Sequence, residues 1–119
     1  MAVSRIIDTA PLNRLLHLAG AADAPILVTA LLGDLRANQT NLDQAWNGPD
    51  FAALHTNSHV LIALAGTIGD TDLHALAQRL NTAAHLQSLG GIMDMKPKIM
   101  AGLADLITLI SRLSISKGP

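Results

Sequence analysis

The stretch HVLIALAGTIG, residues 59–69, decides how the chain is interpreted, because as a helix it has two unlike sides. Residues at three- and four-residue steps form one stripe that can face a core, made of Leu54, Ser58, Leu61, Ala65 and Ile68. His59 stands away from this stripe, and its helical neighbours are the small residues Ala52, Ala63 and Gly66. We therefore expect the imidazole of His59 to be open to a large partner.

Composition favours a single helical domain. The chain has 119 residues, half of them hydrophobic, but only Trp46 and Phe51 are aromatic. Ala and Leu dominate, and both are strong helix formers. A chain of this length can bury one core but not two, so residues 1–119 are predicted to form one all-α domain.

Several function classes are disfavoured by charge and residue content. A net charge of −1, with no basic stripe along a helix, predicts no nucleic-acid partner. The absence of cysteine excludes disulfides, thiolate metal sites and thiol catalysis. Asp8 interrupts the N-terminal segment, which lacks the apolar core of a signal peptide, and no apolar run approaches the ~20 residues needed to span a bilayer. We therefore expect a cytoplasmic protein without membrane contact.

Helix start and stop signals predict one short and four long helices, with approximate bounds 11–19, 23–46, 50–68, 72–89 and 97–113. Gly20, residues 47–49, Gly69 and the pair Gly90-Gly91 separate them, and residues 92–96 are predicted to be a loop. Long helices joined by short connections indicate an antiparallel up-down four-helix bundle, with the short N-terminal helix covering one end. Residues 114–119 are predicted to be a frayed tail.

Around His59 the sequence resembles the histidine-containing phosphotransfer (Hpt) domain. That family carries a helical His-x-Leu-Lys-Gly-Ser-Ala motif with a Gly four residues further on. Four positions agree with it, namely His59, Leu61, Ala65 and Gly69. Asp50 stands nine residues before the His, as an acidic residue often does in that family. The resemblance extends over nearly the whole chain in helix order and length, and it implies the same bundle fold.

Three positions depart from the family motif, where Lys, Gly and Ser are replaced by Ile62, Ala63 and Leu64. The family's Lys lies one turn from the His and helps to neutralise the phosphoryl oxygens, so that charge must come from elsewhere here. We expect Arg79, on the neighbouring helix, to be the nearest cation. Ala63 adds only a methyl group to the family's Gly, and Leu64 is expected to pack between helices.

The function implied by the resemblance is that of a phosphorelay intermediate. His59 would accept a phosphoryl group from a receiver-domain aspartate and pass it on, because imidazole is largely neutral near pH 7 and keeps a nucleophilic nitrogen. The protein would be a monomeric phosphocarrier, not an enzyme that turns over a small molecule. Its partners would be a response-regulator receiver domain or a hybrid sensor kinase. The expected docking face comprises Ala52, His55, Ile62, Ala63 and Gly66.

A cofactor or metal ion of the protein's own is not expected, since Mg²⁺ is needed only in the partner receiver. His55 and His59 have the i, i+4 spacing of two metal ligands, but the pair has no further ligand and no intervening Glu. Two other functions stay open. One is a non-catalytic Hpt-like module that docks a receiver or another signalling protein without phosphotransfer, and the other is a helical dimerisation domain.

Overall fold

A computed structural model describes residue 7 and residues 9–116 of the chain, with side chains as far as residue 113. This part of the chain forms four helices and no strand, which confirms the all-α prediction. The helices are α1 (Ala10–Trp46), α2 (Phe51–Ile68), α3 (Thr71–His85) and α4 (Leu89–Ser116). The predicted tail begins too early, because α4 continues through residue 116, and residues 117–119 lie outside the described residues.

Each helix contacts two others, so the four helices close into a ring around one core. α1 and α3 each pack against both α2 and α4. Leucine and isoleucine side chains at helical spacing fill the space between them, and the largest fully buried ones include Leu35, Leu42, Leu54, Leu61, Leu80, Ile99, Leu103 and Leu106. Burial of each such side chain contributes about 1.5–3 kcal/mol before entropy.

α1 contains a break at Gly20, where φ is 85° and ψ is 169°. A side chain would be strained at this positive φ, whereas glycine has no Cβ atom and adopts it readily. A gap over residues 20–22 was predicted, but only Gly20 leaves helical geometry, and Pro25 lies inside the helix. The backbone thus returns to helical angles immediately after the glycine.

The predicted boundary between the last two helices is wrong. α3 ends at His85 and α4 begins at Leu89, so the expected loop over residues 92–96 is helical and Pro97 lies inside α4. The pair Gly90-Gly91 does not stop a helix. Instead Gln87 takes the left-handed conformation at the turn, with φ of 55°. The Ser88 hydroxyl then accepts the backbone N–H of Gly91 at 3.2 Å, in the manner of an N-cap.

Burial at the start of α4 gives the reason for its early beginning. Ile92 and Met95 are both buried, and a helix places these residues on the same side, facing the core. Trp46, at the end of α1, donates its indole N–H to the carbonyl oxygen of Ile92 at 2.9 Å. Met93, by contrast, is exposed.

Apolar surface is left uncovered on α1. By length and composition alone, α1 and α2 are each apolar enough to cross a membrane, a test that a core helix also passes. Only 17% of the apolar window of α1 is buried, compared with 28% for α2. Leu18 and Ile26 are the most exposed large apolar side chains of α1, at 82% and 66%.

Candidate functional site

α2 begins and ends where its local sequence directs. The Asp50 carboxylate accepts the backbone N–H of Ala53 at 3.0 Å and caps the first turn. At the other end Gly69 has a φ of 96°, and its N–H donates to the carbonyl oxygen of Ala65 at 2.9 Å. Both boundaries agree with the sequence prediction, so the faces of α2 can be read directly from residue spacing.

The predicted inner face of α2 is confirmed. All five of its residues are buried to 0% exposure: Leu54, Ser58, Leu61, Ala65 and Ile68. Ser58 is the polar member of this set, and its hydroxyl donates to the carbonyl oxygen of His55 at 3.0 Å. The hydroxyl is thereby satisfied without water.

The opposite face of α2 carries His59, which is exposed. Ala52, His55, Ala63 and Gly66 are exposed as well, so the side chains around the imidazole are mostly short. A large partner can therefore approach its ring.

Ile62 differs from the other residues of the expected docking face. It is only partly exposed and packs against the core cluster, because it lies between the exposed face and the inner stripe. α2 (Phe51–Ile68) contains no Asp, Glu, Lys or Arg. No fixed charge of α2 therefore lies beside His59.

Polar residues of α3 that were not predicted to belong to the site pack against the His59 side of α2. The Asn81 amide donates to the carbonyl oxygen of His55 at 3.0 Å and to the Ser58 hydroxyl at 3.1 Å. A Cβ atom added to Gly66 would lie 3.4 Å from Cδ2 of His74. His74 and Asn81 are seven residues apart, so they lie on the same side of α3, next to its inner stripe. This spacing is the sequence signal that could have identified them.

The rings of His55 and His85 also meet across these two helices, with centroids 5.7 Å apart and planes tilted by 41°. From the sequence, the i, i+4 spacing along α2 had suggested a different pair, His55 with His59. Among the residues that the structure describes, no group of three or more His, Asp or Glu side chains could hold a metal ion.

Arg79, the expected charge partner of His59, lies on another side of α3. It lines a shallow cavity together with Gln78, Thr82 and Leu86. Since Arg79 and Asn81 are two residues apart, helix geometry separates them by about 160° around α3, and Asn81 is the one that faces α2. This position does not support Arg79 as a cation beside His59.

On its other side α2 is joined to α1 by the side-chain amide of Asn38. Asn38 is buried and donates from Nδ2 to the carbonyl oxygen of Asn57 at 2.9 Å. Its Oδ1 atom has no hydrogen-bond partner among the residues that the structure describes. Asn57 in turn donates to the carbonyl oxygen of Ala53 at 2.8 Å. Since Asn57 and His59 are two residues apart, about 160° around α2, the bond from Asn38 ties α2 to α1 on the side away from His59.

Comparison of the chain with protein-family models, with curated proteins and with solved structures finds no match.

Proposed function

We propose that this protein is a histidine phosphotransfer protein of a two-component phosphorelay, with His59 as the phosphoryl acceptor. One observation carries the proposal. His59 is exposed among mostly short side chains on a helix whose opposite face is fully buried. That arrangement presents an imidazole to another protein's active site while the bundle holds the helix rigid.

The chemical step is a transfer between two proteins. A ring nitrogen of His59 attacks the phosphorus of a receiver's aspartyl phosphate, a P–N bond forms, and the P–O bond to the aspartate breaks. The aspartate leaves as a carboxylate, and the ring loses its other N–H proton to solvent. The receiver's Mg²⁺ neutralises the transferring group, so this chain supplies position and a nucleophile without a cofactor of its own.

The partner is then a response-regulator receiver domain, or a hybrid sensor kinase that carries one. Ala52, His55, Ala63 and Gly66 form the exposed part of the docking face, with Ile62 at its edge. Relays of this kind operate in the cytoplasm, and a monomer leaves the face accessible.

The bundle is proposed to be antiparallel and up-down, as the resemblance implies. The bond from Trp46 to Ile92 supports this arrangement because it joins the end of α1 to the start of α4. The α2–α3 contacts also run in opposite order, since Gly66 meets His74 and Ser58 meets Asn81. The segment before the Gly20 break would be the short extra helix of the bundle.

The decisive experiment is incubation with a phosphorylated receiver, followed by detection of acid-labile phosphate on this protein. His59→Gln should abolish labelling while the fold is retained. His17→Gln is the matched control, because His17 is an exposed histidine on α1. Equal labelling of the wild type and His59→Gln would reject His59 as the acceptor.

A second candidate function is a docking module without phosphotransfer. The absence of any Lys or Arg on α2 favours it, because nothing there neutralises a phosphoryl group as the family's Lys does. An exposed cation one turn from a phosphohistidine contributes ~0.5–2 kcal/mol when partly screened. Its loss would shift the transfer equilibrium towards the receiver by up to roughly thirtyfold.

Ile62→Lys separates the two functions. If the protein transfers phosphoryl groups, this variant should raise the phosphorylated fraction and weaken receiver binding at high salt. Thr67→Lys, which adds the same charge at an exposed position two turns from His59, should change neither quantity. Undetectable phosphorylation in Ile62→Lys, together with impaired binding, would favour the docking module. No change in either would place Ile62 outside the docking face.

A further inference from the structure

The imidazoles of His55 and His85 form a cross-helix pair, of which the proposed function uses only His55, as part of the docking face. Their centroids are 5.7 Å apart, and both residues are exposed, so ions in solution can reach the rings. Two rings on one metal ion, each bound at about 2.0–2.1 Å, have centroids roughly 5–6 Å apart. The observed separation lies in this range.

The helices that carry the two rings are held together at the same level. Asn81, one turn before His85, donates to the backbone carbonyl of His55 at 3.0 Å and to the Ser58 hydroxyl at 3.1 Å. These hydrogen bonds fix α2 against α3, so the pair does not depend on a mobile loop. Ligands held by rigid elements need less ordering when an ion binds.

Electrostatics at this position favour a cation. His85 lies in the last turn of α3, where the negative end of the helix dipole stabilises positive charge. α2 contributes no Lys or Arg that would repel an ion. Imidazole nitrogen suits the borderline transition metals, whereas Mg²⁺ and Ca²⁺ prefer oxygen ligands.

We propose that His55 and His85 bind a divalent transition metal ion of the Zn²⁺, Cu²⁺ or Ni²⁺ class, which bridges α2 and α3. Water completes the coordination, because the pair supplies only two protein ligands. The site is therefore exchangeable, unlike a closed structural site with four protein ligands. It does not require phosphoryl transfer by His59.

Calorimetric titration of the full chain with Zn²⁺ and with Cu²⁺ tests the site. His85→Gln and His55→Gln should each weaken binding at least tenfold. His59→Gln and His17→Gln should bind within twofold of the wild type, and Mg²⁺ should not compete. Cu²⁺ should bind more tightly than Zn²⁺.

Thermal unfolding provides a second measurement, since an ion that binds the folded pair raises the melting temperature. Zn²⁺ should raise it for the wild type and for His59→Gln, but not for His85→Gln. The proposal is overturned if all variants bind alike, if no binding occurs below 1 mM ion, on the order of the weakest protein sites, or if His59→Gln loses binding while His85→Gln keeps it. That last outcome would assign the ion to the i, i+4 pair within α2.

Discussion

The two faces of α2 differ in what they contribute to the protein. The inner face consists of Leu54, Ser58, Leu61, Ala65 and Ile68, all fully buried. The opposite face presents His59 among exposed and mostly short side chains. One face of the helix therefore stabilises the fold, and the other presents His59 to a partner. Substitutions on the inner face should change stability, and substitutions on the outer face should change partner binding.

The largest effect on stability is expected from Leu61→Ala. This substitution leaves a cavity at a fully buried position, and the free energy of unfolding should fall by ~2–5 kcal/mol. Denaturant titration measures the change. Leu18→Ala, at a leucine that is 82% exposed, is the control and should alter stability by less than ~0.5 kcal/mol. Equal losses in both variants would break the distinction between buried and exposed positions.

The next largest effect is expected from Asn81→Ala, which removes the two hydrogen bonds from α3 to α2. At ~0.5–1.5 kcal/mol each, their loss should cost about 1–3 kcal/mol in unfolding free energy. Gln78→Ala, at an exposed position of the same helix, is the matched control and should be nearly neutral. A neutral Asn81→Ala would mean that water replaces the amide and that this contact adds little.

A smaller effect, of opposite sign, is expected from Gly66→Ala on the exposed face. Alanine favours a helix over glycine by ~1 kcal/mol, and the added Cβ would make only ordinary contact with His74. Stability should rise, as it should for Gly33→Ala, where the added Cβ would lie more than 4 Å from the described atoms outside its own stretch of helix. Binding to a receiver should weaken in Gly66→Ala alone. A loss of stability would show that the space at Gly66 serves packing instead of docking.

The smallest effect on stability is expected from His59→Gln. Its side chain is exposed, so the free energy of unfolding should change by less than ~0.5 kcal/mol. Circular dichroism during denaturant titration would detect a larger change. A cost comparable to that of Asn81→Ala would contradict the exposed placement of the ring and would weaken the assignment of His59 as an acceptor.

The boundaries of α2 were predictable because their signals act within a few residues. Asp50 caps its own helix, and Gly69 takes the positive φ that ends it. The helical period then determines which residues of α2 share a face, whatever packs against it. The burial of Leu61 and the exposure of His59 follow from that period.

The junction between α3 and α4 was not predictable by the same means. Gly90-Gly91 matches a helix stop, yet both glycines lie in the first turn of α4 and Gln87 takes the left-handed position. Burial of Ile92 and its contact with Trp46, which is distant in the sequence, outweigh the low helix propensity of glycine. Tertiary packing decided this boundary.

By itself the sequence determined the helical class, the limits of α2 and the separation of its two faces, because local capping and residue period control these features. Only the tertiary structure decided that His85 meets His55 and that Asn81, rather than Arg79, faces α2. Those pairings depend on the relative rotation and register of two packed helices. Many side chains across the whole core set that register together, so no local pattern in either helix specifies it.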